Sequence, residues 1–320
     1  MKDAQLAGKQ TGNPVPLSAK RGPAHRLQSR ESLIAYLFMI PTIIGFSIFV
    51  AYPLISSIYY ALCDWNGLSA PKFVGLRNFV FMFTKDPTFF PSLKATGYYV
   101  ILTVPFTLIF GFLLAVLLNK QMPGIKLFRT IYYLPVVLPG IAAMVLFKFI
   151  FSPDMGLANQ ILAALGLKSQ LWISSETQVM PVLLIFALWG VGGQMIIFLS
   201  GLQSVPAELY EAAVVDGASG FQKMIRITIP MITPILFLQL ITGLIGAFQV
   251  FAPSLIMTGN GGPGLSTYFL NYSIYVNGFA NRQYGYAISQ VWVMFVIVMI
   301  FTVIVYRLSN SMVYYESNKD

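Results

Sequence analysis

This chain reads as an all-α membrane protein of six transmembrane helices, with a short helical elbow between the fourth and the fifth. Three observations predict it. Of the 320 residues, 57% are hydrophobic and only 10% charged, with a mean hydropathy of +0.72, where a soluble domain carries about 25% charged residues. The apolar residues gather into runs long enough to cross ~30 Å of hydrocarbon. Lysine and arginine fall between those runs, and one long island of charge and helix punctuation stands at 206–230.

Taken in order, residues 1–30 carry Lys2, Lys9, Lys20, Arg21, Arg26 and Arg30 among Gly, Pro, Gln and Ser, the composition of a solvated, disordered tail. The first apolar run, roughly 33–62, is too long for a cleaved signal and is read as a permanent span, with Pro41 and Pro53 as irregularities. A polar and aromatic stretch at 63–94 precedes span two at 95–118 and the basic turn 120–129. Span three, 131–151, contains Pro135 and Pro139, which neighbouring helices tolerate by re-satisfying the freed carbonyls. Span four covers 180–202, span five 231–257 and span six 287–306, so the transmembrane body is 31–308 and 309–320 is a second tail.

The positive charges fix an orientation. Thirteen lysines and arginines lie in the tails and the even-numbered turns, against six on the other side: Lys72, Arg77, Lys85, Lys94, Lys168 and Arg282. This bias places both termini and the 206–230 loop in the cytoplasm. The net charge of +9 is therefore topological and is not a nucleic-acid footprint. One cysteine, Cys63, and one histidine, His25, exclude an internal disulfide, a metal cluster and a Cys/His nucleophile.

Within the island, Pro206 suits a first helical turn and Glu208 lies at the positive end of the dipole, so a helix should run to about Asp216. Gly217 can stop it. Ser219 with Gln222 three residues on fits a capping box, which starts a second helix running to Pro230. Ala213 and Gly217, four apart with Ala212 alongside, are expected to form a small-residue face for a partner.

All eleven acids fall in tails or loops, so the buried carboxylate usual in ion-driven carriers is missing. No GxxxxGK[ST] loop is present either, and uphill transport would need another chain as motor. Gly259, Gly261 and Gly264 match GxGxxG, but Pro263 interrupts them and no strand–helix unit surrounds them; a turn is expected. The spans carry neutral polar and aromatic groups: Trp189 and Gln194, then Gln239, Thr242 and Gln249, then Gln290 and Trp292. Amides in hydrocarbon must be bonded or wet, so these line a solute path or act as interhelical glue worth ~0.6 kcal/mol per bond. Gln249, flanked by Phe248 and Phe251, is the first pathway candidate, and Phe248, Gln239, Gln194 and Trp189 are the others. Lys148 either snorkels to the surface or attracts anions.

Glu211-Ala212-Ala213, three residues, Gly217, nine residues, Ile227, one residue and Ile229-Pro230 resemble the coupling loop of permease subunits of binding-protein-dependent ABC importers, with Ile229 where Leu is usual. FVGLRNF at 73–79, Gly261-Gly262-Pro263 with Thr267, and Tyr284-Gly285-Tyr286-Ala287 resemble the sugar branch of that family, of the maltose and glycerol-phosphate importer type. The resemblance implies a type I ABC importer permease fold in a prokaryotic cytoplasmic membrane. It implies as partners a second homologous permease, two ABC ATPase subunits and an extracytoplasmic solute-binding protein. ATP and Mg would be used by the ATPase subunits, with no cofactor on this chain, and Glu211, Ala212, Ala213 and Gly217 would sit in an ATPase cleft. An importer of amino acids or peptides, a membrane enzyme and a scaffold without transport are the alternatives.

Overall fold

The computed structural model describes residues 24–120 and 122–309, with side chains described over 34–308 apart from 35 and 121. Residues 1–23 and 310–320 of the two expected tails lie outside them. The chain divides into two units, Met1–Ser56 and Ser57–Asp320. In the first, α1 (Ala24–Phe46) runs through Pro41 into a π turn, Ser47–Ala51, where the Tyr52 N–H reaches back to the Ser47 carbonyl. Pro53 has no N–H for the Phe49 carbonyl, and the widened turn just before it absorbs that loss. Large apolar side chains such as Phe38, Phe49 and Ile55 are exposed, a surface for lipid or another chain.

The second unit begins within α2 (Tyr52–Ala61) and continues with a minimal antiparallel hairpin, β1 (Cys63–Asp64) and β2 (Lys72–Phe73), registered Cys63 to Phe73. Then come α3 (Arg77–Thr84) and α4 (Phe89–Leu118). The third apolar run departs from expectation: α5 (Ile125–Val137) and α6 (Gly140–Ile150) meet at 96° and are not one rod. Pro139 bars Leu138 from the helical region, and Leu138 is extended with ψ 142°. Following α7 (Leu157–Ala164), the fourth run is also bent, by 48°, between α8 (Val179–Trp189) and α9 (Gly192–Gln203).

The elbow holds α10 (Ala207–Val215), α11 (Gly220–Lys223), a π turn at Met224–Thr228 and α12 (Ile229–Met231). The fifth run is α13 (Thr233–Phe248) and α14 (Ala252–Ile256), broken at 249–251. A further segment, α15 (Leu270–Tyr275) with a π turn at Val276–Ala280, leads to α16 (Tyr284–Ser309). Among the described residues, by length and composition, four continuous helices can cross a membrane, Tyr36–Ala61, Phe89–Leu118, Thr233–Ile256 and Tyr284–Leu308, and the total is up to six when each bent pair is one span.

The second unit is built around α4, which packs on α8, α9, α13 and α15. Towards its start, Ala95 joins Phe147, Val179, Leu183, Met257 and Phe269. Towards its end, Leu114, Ala115 and Leu118 join Met195, Phe198, Leu202 and Ile232. The Leu118 carbonyl at the C-terminus of α4 accepts from the Arg129 guanidinium at 2.7 and 3.2 Å, a cation on the negative end of a helix dipole.

The FVGLRNF and YGYA motifs form one clasp. The Asn78 amide donates to the Ala61 and Cys63 carbonyls, each at 2.9 Å. The Gly285 N–H donates to the Trp65 carbonyl at 3.1 Å, and a Cβ at 285 would lie 2.0 Å from the Cys63 carbonyl oxygen. The Tyr286 hydroxyl donates to the Asp86 carboxylate. FVGLRNF and YGYA are thus two halves of a structural joint between the hairpin, α3 and α16.

Candidate functional site

The elbow is made by local chemistry. Pro206 stands immediately before α10 and Glu208 occupies its first turn. Gly217, at φ +72°, ends the helix: its N–H donates to the Val214 carbonyl at 3.0 Å, and the Ala218 N–H donates to the Ala213 carbonyl at 2.9 Å. These two bonds are the Schellman arrangement, which needs a left-handed residue at this position. The Ser219–Gln222 capping box then forms, with the Gln222 side chain accepting from the Ser219 N–H at 2.8 Å and the Ser219 hydroxyl accepting from the Gln222 N–H at 3.3 Å.

The structure separates the four expected coupling residues. Glu211, Ala212 and Gly217 are exposed, while Ala213 is buried at 9% exposure within the chain. The expected Ala213–Gly217 partner face is therefore corrected: Ala213 packs inward, on the bundle side of α10. The open face carries apolar groups the sequence reading passed over. Val214 and Leu209 are exposed, Val215 is 88% exposed and Phe221 74%. Their signal was an apolar Val-Val pair and a lone Phe inside a charged, loop-like island.

The pathway candidates also separate. Gln249 is exposed in the interruption of the fifth run, and its carbonyl accepts from the Asn271 amide at 2.8 Å. Beside it the Phe251 ring lies 6.1 Å from Tyr272 and 4.9 Å from Tyr275. Burial raises the Tyr272 phenol above its ordinary pKa. Phe248, one residue from Gln249, is 3% exposed and packs on Val100, Val104 and Phe301; it is a core side chain.

Gln239 is buried with its Nε2 unbonded, and the Oε1 of Gln194 is buried and unbonded. The Gln194 side chain lies against Gly111 of α4 and Gly243 of α13. An orphaned acceptor and an orphaned donor thus sit on α9 and α13, two helices in contact. Trp189 belongs to a separate aromatic cluster, 5.3 Å from Phe147 and 6.4 Å from Phe186. Gln290 is spoken for, bonding Asn277 at 3.1 Å and Ser273 at 3.2 Å, and Trp292 donates to Ser57 at 3.2 Å. Lys148 is exposed in the last turn of α6. The GxGxxG match is a run of left-handed turns around Pro263–Leu265, with no strand–helix unit.

Among the described residues no group of three or more His, Cys, Asp or Glu is placed to hold a metal. A helical bundle of spans and bent helix pairs, with an exposed elbow leading into its fifth span, defines a polytopic membrane protein of the permease type. The chain belongs to the family of binding-protein-dependent transport system inner membrane components, which matches residues 98–313. It is 37% identical over 294 residues to the probable ABC transporter permease protein YesP of Bacillus subtilis (strain 168), covering 91% of this chain and 95% of that one. It is 32% identical over 304 residues to the arabinooligosaccharides transport system permease protein AraP of the same organism, covering 94% and 96%. Its fold matches a chain of a bacterial alginate ABC transporter, crystallised in complex with alginate pentasaccharide-bound periplasmic protein. The TM-score is 0.78 at 25% identity over 90% of this chain and 97% of that chain.

Proposed function

We propose that this chain is the transmembrane subunit of an ATP-driven importer that passes a carbohydrate, delivered by an extracytoplasmic solute-binding protein, across a prokaryotic cytoplasmic membrane. The observation that carries the reading is similarity along nearly the whole chain to AraP, a permease named for arabinooligosaccharides. The alginate transporter's fold supports it.

In this reading two ABC ATPase subunits, using ATP and Mg, close beneath the bundle, and a second permease completes the path. Glu211, Ala212 and Gly217 meet an ATPase cleft, with Val214, Val215 and Phe221 as apolar contacts, while buried Ala213 ties α10 to the bundle. The thirteen-to-six charge bias places the elbow and both termini in the cytoplasm. Motion of the elbow passes through the π turn 224–228 into α13, whose far end carries Gln249 at a chain break. The break leaves the Gln249 side chain exposed beside the Phe251 ring, a pairing suited to passing hydroxyl groups.

The test is reconstitution of the assembled complex in vesicles with labelled arabino-, chito- and malto-oligosaccharides. Uptake that requires ATP and the solute-binding protein is expected. Uptake of none of these sugars, or uptake indifferent to ATP, overturns the reading.

A further inference from the structure

A second cleft stands apart from Gln249. It lies between the first turns of α4, the residues just before α8 and the loop that follows Gly264, with a volume of about 620 Å³. This falls within the ~300–1,000 Å³ of small-ligand pockets. Its walls combine the exposed rings of Phe90 and Tyr98 with Lys94, Glu176, Thr177 and Ser266.

Three observations mark it as built to hold something. The Ser266 Oγ is buried without a hydrogen-bond partner, and an unsatisfied buried hydroxyl costs ~1–3 kcal/mol. The residue before it, Leu265, is held at φ +62°, a left-handed backbone that costs a branched side chain ~1–2 kcal/mol. Neither Lys94 nor Glu176 is in an ion pair among the described residues, although both line the same cleft.

The chemistry selects the ligand. One cation and one anion cancel, so a charged solute gains at one wall what it loses at the other. Aromatic faces take the apolar face of a sugar ring, and a carboxylate, an ammonium and hydroxyls meet its rim. We propose that the Lys94–Tyr98–Glu176–Ser266 cleft is a loading subsite for an uncharged sugar unit, occupied before the solute reaches Gln249. The inference rests on the carbohydrate-import reading and adds a second binding place and a preference for neutral over acidic glycans.

Cys63 is fully buried, so a single thiol introduced at the rim can be read against a silent background. Thr177→Cys, in the assembled complex in nanodiscs, is labelled with a thiol reagent and the label counted on this chain by mass spectrometry; Pro91→Cys, on the same lining, is the second reporter if the first fails to assemble. Millimolar neutral maltotriose, chitobiose or arabinotriose is expected to slow labelling several-fold, and trigalacturonate is expected not to. Adding Tyr98→Ala, which removes an exposed ring from the wall, should raise the protecting concentration about fivefold or more. No protection by any neutral sugar, in a complex that transports one, overturns the subsite and leaves the import reading standing. Equal protection by sugar-free solute-binding protein also overturns it, by making the cleft a protein contact. A complex that transports no sugar overturns both.

Discussion

The hydroxyls of Tyr210 and Thr228 lie 2.9 Å apart, and this bond fastens α10 to the π turn through which the chain returns to the bundle. Thr228 also reaches the Lys223 carbonyl at 3.3 Å as donor, which leaves the Tyr210 phenol as donor to Thr228. Tyr210→Phe removes the fastening without changing the ring. Amide exchange over Ala207–Val215 is expected to accelerate about fivefold, for a loss of ~1 kcal/mol. Exchange equal to the parent's would show that the elbow is held by apolar packing alone.

Gly217 has nothing within 4 Å of the position a Cβ would take. Any cost of Gly217→Ala is therefore conformational, ~1–2 kcal/mol from a left-handed alanine. Gly217→Asn should cost less, because asparagine tolerates that region. Thermal unfolding of the purified complex, with the three proteins ranked Gly, Asn, Ala in stability, is the check; an alanine variant as stable as the parent contradicts the Schellman geometry.

Glu211 is exposed on α10. Glu211→Lys is expected to leave membrane insertion and subunit assembly intact and to abolish uptake. Normal uptake by a normally assembled complex would remove Glu211 from the coupling role.

Gln249 and Phe248 are neighbours in sequence with opposite surroundings. Gln249→Ala should change solute-stimulated transport with little effect on yield, since its side chain is exposed. Phe248→Ala should lower stability by ~3–5 kcal/mol, seen as poor yield and a lowered Tm, because its ring packs 5.4 Å from Phe301 within a buried cluster. If both variants fail in the same way, Gln249 is structural.

What the sequence made legible was local. Pro206, Gly217, Ser219 and Gln222 act on backbone within a few residues of themselves, and the elbow they describe is the elbow found. The facing of α10 was not legible, since spacing tells which residues share a side but not which side the bundle covers. Pro139 was read as tolerable inside a span, yet the same restriction on Leu138 turned the chain by 96°. The role of YGYA was equally out of reach, because the Tyr286–Asp86 bond joins positions 200 residues apart.

The folded third run bears on how the protein is made. Its arms of 13 and 11 residues are each ~20 Å or less at 1.5 Å per residue, short of ~30 Å of hydrocarbon. Lipid alone cannot hold either one upright. The earlier α4 touches α5, but most of what supports the pair, α9 beside α5 and α14 beside α6, is synthesised later. The nascent chain is therefore expected to complete this corner only when α14, which starts at residue 252, arrives.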